Sequence, residues 1–312
     1  MAALAAILVL PVGVVADAPE PPAFLGRSTP PAAILDRLVD APILWFEPVG
    51  RTTVVFRVVF EGGGKGLFEP STRQHPAGHR AEVAAYRVAR LLGLDGVPPA
   101  ITRRVAREDL RARLDPELED AWAPIARWTN WSADGWVAGA AIDWVPDARA
   151  LGLERHEAVR RWSRWLSQEG RVPEDGRALA RDLSNMVVFD YLIGHWERLG
   201  RGGIEGTPDG ARLYLRDHNK AFAAPLPPVL HRRTADGLLR SEKFSRGLVE
   251  RLARLDADAL RAELARDPGH AAGAPLLTAA QVAGVMDRRE AILSYVGALI
   301  DEHGEEAVLV FP

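Results

Sequence analysis

No cysteine occurs in the 312 residues, which removes disulfide staples, thiolate metal sites and cysteine nucleophiles. Any chemistry the chain performs rests on carboxylates, histidine, serine or lysine. Charge of one sign is also lacking: 39 Lys and Arg are interspersed among 42 Asp and Glu, for a formal net charge of -3. No global field draws nucleic acid, and none is expected as a partner. Internal repeats are absent, and past residue 16 no apolar run approaches the roughly 20 residues that a membrane-spanning helix needs. Met1 to Ala16 is uncharged and apolar, broken by Pro11 and Gly13, and is short for a span. Val14 and Ala16 stand at the small-residue spacing of a signal-peptidase site, although the basic start of an export signal is missing. The reading is a signal peptide over 1–16 and a Pro-rich linker over 17–30, hence an exported, periplasmic or extracellular protein. Without such a signal the chain would be cytoplasmic.

What is present suits one large domain over 31–312, since a chain that is 47% hydrophobic buries a substantial core. From Arg51 to Pro70 the sequence reads strand, turn, strand, with β-branched and aromatic residues up to Phe60, the turn EGGGKG, and GLFEP after it. From His79 to Leu92, Ala81, Ala85, Val88 and Leu92 share a helical face, and Gly93 is the expected stop. An extended piece follows at Val97 to Pro99, then a charged region with helical character through Asp120. Five tryptophans between Trp122 and Trp144 are expected in the core or at a lobe interface. Leu179 to Ile193 is helical up to Gly194, residues 200–210 form a Gly-rich loop, Leu213 to Leu215 a short strand, and helices dominate from Leu238 with a break near Pro268 to Pro275. Strands early and helices late predict an α+β protein with a mixed N-lobe over 31–145 and a larger helical C-lobe over 146–312.

Three segments carry chemistry-bearing residues in a fixed order: EGGGKGLFEP with the helix HRAEVAAYRVARLLG, then FDYLIGHWER, then LYLRDHNKAF. A tail, LLTAAQVAGVMDRREAIL, completes the set. Together, over about Phe56 to Ile300, they resemble the secretory-pathway kinases that include the Golgi casein kinase and glycosaminoglycan xylosylkinase, which have an atypical bilobal protein-kinase-like fold. The resemblance implies ATP, Mg or Mn, and a hydroxyl of a protein or glycan as acceptor. It puts Glu82 on the N-lobe helix and Asp217 after the C-lobe strand at the metal, and Glu197 where the family has its catalytic aspartate.

Phosphoryl transfer needs charge neutralised by metal, the donor held by a cation and the acceptor oriented by a carboxylate. Against that requirement two residues stand out. Glu69 occupies the place of the family's nucleotide-binding lysine, so it and Glu82 set two carboxylates against each other, costly to ionise together unless a cation lies between them. Glu197 is the family's base lengthened by one methylene. Lys65 shares a strand face with Glu69 and is a candidate compensating cation if its stem reaches inward, the other reading being a solvent-facing hairpin lysine; Arg57, Arg73 and Arg80 are further candidates. His195 stands where the family has asparagine. A pseudokinase that binds nucleotide weakly, or serves as a scaffold, is the alternative to an active phosphotransferase.

Overall fold

The computed structural model describes residues 23–49, 53–145, 147–271 and 273–312. The expected signal at 1–16 lies outside the described residues, and so do residues 17–22 of the expected linker. Its described part packs on the body: Phe24 is buried beside Val145 and Tyr214, and Arg27 pairs with Asp143 at 3.0 Å.

Helix α1 (Pro31–Asp40) opens with proline at its first position, where the missing N–H costs nothing. Strand β1 (Ile43–Pro48) follows, then the expected hairpin of β2 (Phe56–Phe60) and β3 (Lys65–Pro70). Its turn puts Gly62, Gly63 and Gly64 at φ of 77°, 86° and 101°, a region that disfavours side chains. In β2 alternate residues Phe56, Val58 and Phe60 are buried; in β3 Gly66, Phe68 and Pro70 are buried, which turns Leu67 and Glu69 to the other face. Helix α2 (Gly78–Leu92) is almost wholly buried and stops at Gly93, left-handed at φ 66°.

Beyond it, the charged region expected to be helical begins instead with strand β4 (Ala100–Ala106). Its residues pair with β5 (Trp136–Asp143) from Ala100 opposite Ile142 to Ala106 opposite Trp136. The adjacent Arg103 and Arg104 mask the alternation that Ile101 and Val105 would otherwise display. Helices α3 (Arg107–Ala112) and α4 (Trp122–Trp128) lie between these two strands in sequence. The sheet is antiparallel, in the order β1-β2-β3-β5-β4. Phe46, Phe56 and Phe68 fill its core, with Phe46 edge-on to Phe56 at 5.6 Å.

The tryptophans of this region edge that core rather than fill it, Trp122 and Trp131 packing against it half-buried. Trp128 and Trp136 are 37% and 38% exposed, and arginines cover the rings: Arg104 lies 5.2 Å from Trp136, and Arg107 lies 5.8 Å from both Trp122 and Trp131. Guanidinium groups over indole faces satisfy these side chains at the surface, an arrangement a burial argument does not foresee.

The C-lobe begins with β6 (Arg149–Ala150), which joins β7 (Glu205–Gly206) and β8 (Leu213–Tyr214) in a small antiparallel sheet. Helices α5 (His156–Leu166), α6 (Arg177–Ile193), α7 (Pro228–Leu238), α8 (Arg246–Arg254), α9 (Ala257–Ala265), α10 (Ala279–His303) and α11 (Glu305–Val308) complete it. Apolar residues around most of α6 bury it in the lobe's centre, and Gly194 ends it at φ 68°. The C-lobe core includes α2, which touches β4 and β5 on one side and α8 and α9 on the other. A mixed N-lobe on a helical C-lobe is the α+β bilobal kinase-like architecture read from the sequence. The tail motif earns its place here: buried Arg288 of α10 donates to the carbonyl of Leu192 at 2.8 Å, and Arg289 to that of Leu252 at 2.7 Å.

Candidate active site between the lobes

A cleft of about 380 Å³ separates the sheet from the helical lobe. Leu67 and Glu69 reach it from β3, Ala100 and Ile142 from β4 and β5, and Glu82 from α2; Asp217, Asn219, Lys220 and Glu197 line it from the C-lobe. Four of these carboxylates are the residues expected at the site, drawn together from separate segments.

The segment after β8 is held in an uncommon conformation, with Asp217 and Phe222 both left-handed at φ 62°. Non-glycine residues there cost of order 1 kcal/mol each and persist where the surroundings fix them. Here the fixing is visible: Phe222 N–H donates to the Ile193 carbonyl at 2.7 Å, and His218 N–H donates to Oε1 of Glu82 at 2.5 Å. Asn219 Nδ2 donates to Oε1 of Glu69 at 3.2 Å.

Three acids share this end of the cleft. Burial, followed by the Asp217 charge, pushes the Glu69 carboxyl up to about 7, with Asn219 opposing. Glu82 is driven well above the ordinary carboxylate range by burial, then by Glu69 and Asp217. Like charges in a partly desolvated space account for both.

Behind the acids lies a buried polar network. Arg198 forks onto Asp190, Nε to Oδ2 at 2.8 Å and Nη2 to Oδ1 at 3.1 Å, and its Nη1 donates to the Arg216 carbonyl at 3.0 Å. Burial alone would raise Asp190, but Arg198 and His195 outweigh it and hold the carboxyl below its ordinary value. Arg198 Nη2 also lies 3.1 Å from His218 Nε2. Burial, reinforced by Arg198 and His195, keeps His218 far below the usual imidazole value and hence neutral. An arginine donates only, so Nε2 accepts and the ring proton sits on Nδ1, 3.4 Å from Glu82 Oε2.

His195 is buried in this network, with Nδ1 3.2 Å from Asp190 Oδ1 and its ring 5.5 Å from that of His218. It does not line the cleft. Glu197 does, with Oε1 accepting from Lys220 Nζ at 2.8 Å. Glu197 also borders a second cavity of about 490 Å³ lined by Trp196, Arg233 and Arg240.

Lys65 shares the strand face of Glu69 but not the cleft, because four residues of strand are roughly 13 Å. It opens instead onto a hollow beside Arg27, Arg37 and Trp144. Arg57 pairs with Glu47, and neither Arg73 nor Arg80 lines the cleft. Sequence reasoning missed His218, Lys220 and the Asp190–Arg198 pair. Asp190 could have been found: an acid in the apolar run VVFDYLIG needs a buried partner, and Arg198 follows eight residues on, past the helix end.

Among the described residues no three His, Asp or Glu form a ready-made metal cage. A nucleotide-borne cation does not need one, since it takes one or two carboxylates and completes its shell with phosphates and water. Glu82 and Asp217, hard oxygen donors whose mutual repulsion a cation would relieve, fit that role.

No protein-family model matches the chain. The glycosaminoglycan xylosylkinase of Homo sapiens is 26% identical over 291 residues, covering 81% of this chain and 71% of the relative. That of Danio rerio is 25% identical over 322 residues, covering 89% and 77%. In structure, the Golgi casein kinase superposes with a TM-score of 0.70 at 17% identity over 91% of this chain and 80% of its own. Its form with Mn/ADP bound gives 0.67 at 18% identity over 89% and 78%. The structure of hydra Fam20 with sugar gives 0.69 at 17% identity over 91% and 93%. The order of motifs, the two-lobed fold and these likenesses agree: the chain is similar to the secretory-pathway kinases that include the Golgi casein kinase and glycosaminoglycan xylosylkinase.

Proposed function

We propose that the protein is an ATP-dependent, metal-assisted phosphotransferase acting on a hydroxyl of a glycan or protein in an exported compartment. The observation that carries this reading is the convergence of Glu69, Glu82, Asp217 and Glu197 in one interlobe cleft. The names of the relatives, a xylosylkinase and a casein kinase, support a hydroxyl acceptor, and the neighbour bound to Mn/ADP supports nucleotide with Mn.

The apolar strip of Val55, Leu67, Ala100 and Ile142 on the sheet offers the base of a nucleotide a wall to lie against. Glu82 and Asp217 would hold Mg or Mn. When bound, the cation neutralises charge on the phosphates. The His218 N–H and the Asp190–Arg198 network keep Glu82 aimed at it. Glu197, at the border of the cleft and the second cavity, orients the acceptor hydroxyl and takes its proton. The lobes follow the division at about residue 145.

One observation favours the pseudokinase alternative: Glu69 puts a carboxylate where nucleotide phosphates would meet a lysine. A transfer assay separates the two. Purified protein is incubated with γ-labelled ATP, Mg or Mn, and either a xylose-bearing glycan or casein. The expected result is transfer by wild type and a loss of roughly 100- to 10,000-fold in Glu197→Gln with nucleotide binding retained. Nucleotide binding without transfer under any of these conditions would assign the pseudokinase role.

A further inference from the structure

The cleft is acidic, and a nucleoside triphosphate adds to its negative charge. A cation of the protein's own is needed beside any metal, and the choice is narrow. The sequence contains three lysines, Lys65, Lys220 and Lys243. Lys243 serves the C-lobe, with Nζ donating to the carbonyls of Trp165 at 3.3 Å and Gly170 at 2.5 Å. Lys65 opens onto the hollow near Arg27 and Arg37. Lys220 lines the cleft, three residues after Asp217, with its side chain 38% exposed and Nζ 2.8 Å from Glu197 Oε1. Its ammonium also stands 5.8 Å from the centre of the Trp196 ring, within cation–π range. Arg216, the arginine that lines the cleft among the described residues, is ion-paired to Glu205 at 2.5 Å.

We infer that Lys220 is the phosphate-binding cation of this cleft, its charge moved from the β3 position held by Glu69 to the segment after Asp217. The inference rests on the phosphotransfer reading. Lysine suits the task because its ammonium is a point charge on a flexible stem, able to leave one set of oxygens for another. In the nucleotide-free state Glu197 supplies those oxygens. When a triphosphate enters, its terminal oxygens replace the carboxylate as the partner of Nζ, and Glu197 is released to face the acceptor. Nucleotide binding and exposure of the base are thereby coupled through one side chain. Glu69 is then free to serve as a hydrogen-bond acceptor for Asn219, which steadies the Asp217 segment.

Calorimetric titration of ATP with Mn, of Mn alone, and of adenosine into wild type, Lys220→Met, Lys220→Arg and Glu69→Lys/Lys220→Met tests this. Lys220→Met should weaken ATP at least tenfold while leaving Mn alone and adenosine unchanged, because only the phosphate partner is removed. Lys220→Arg should keep most of the affinity, and Glu69→Lys should restore it in the Met background by returning a cation to β3. ATP affinity unchanged in Lys220→Met, or adenosine weakened as much as ATP, would overturn the assignment. Wild type that binds no nucleotide would instead remove the phosphotransfer reading itself, and this inference with it.

Discussion

The backbone N–H of His218 donates to Oε1 of Glu82 at 2.5 Å, joining the N-lobe helix to the C-lobe segment after β8 across 136 residues of chain. Glu82 is therefore anchored by main chain, with the neutral His218 ring beside it, Nδ1 3.4 Å from Oε2. Its charge is nonetheless unfavourable without a cation, since burial, Glu69 and Asp217 all act against ionisation. Glu82→Gln keeps an acceptor for His218 and removes that charge. The metal-free variant should melt higher than wild type at pH 8, while stabilisation by Mn should be lost. Thermal denaturation with EDTA and with Mn checks both signs.

The raised carboxyl of Glu69 gives a pH signature. Folded, it holds its proton to about pH 7; unfolded, it releases it near 4.5. The folded state thus binds more protons in this window, and the stability contributed is full below pH 4.5 and lost as pH rises through 7. Relative to Glu69→Gln, metal-free wild type should lose stability at up to about 1.4 kcal/mol per pH unit across that interval, then level off. Mn favours ionised carboxylates and should flatten the slope. Denaturant melts of both proteins between pH 4.5 and 8.5 measure it.

Arg198 neutralises the buried Asp190 and reaches both His218 and the Arg216 carbonyl. Arg198→Met strands a desolvated carboxylate and should cost about 3–5 kcal/mol. Adding Asp190→Asn removes the stranded charge, so the double variant should recover part of the loss. A double-mutant cycle by urea denaturation reads the coupling directly.

Gly139 of β5 sits against the strand that carries Glu69. A Cβ there would lie 2.6 Å from a Phe68 ring atom and 2.7 Å from the Glu69 carbonyl. Since the second contact is backbone, Gly139→Ala must displace β3, with an expected loss of about 1–3 kcal/mol. ATP affinity should fall with it, whereas Gly135→Ala, strained by its φ of 79° but with open space around it, should destabilise without touching affinity.

Much of this site was written in local sequence. The β2–β3 hairpin, α2 ending at Gly93 and α6 ending at Gly194 each combine a clear period with a glycine stop, and the motifs along them named Glu69, Glu82, Glu197 and Asp217. The remainder depends on distances that sequence periodicity does not carry. Lys65 is on the right face of β3 but too far along it, while Lys220 enters the cleft because the chain turns at Asp217 with a positive φ. The tryptophans misled for a different reason: arginines from other segments cover their faces at the surface, so size alone did not predict burial.

The central claim is that the interlobe cleft binds a nucleotide through a cation held by Asp217 and Glu82. Calorimetric titration of ADP into wild type and Asp217→Ala, each with Mn and with EDTA, tests it most directly. The account predicts binding by wild type with Mn, a loss of at least tenfold with EDTA, and the same loss in Asp217→Ala even when Mn is present. Equal ADP affinity in all four titrations, or none in any, would contradict it.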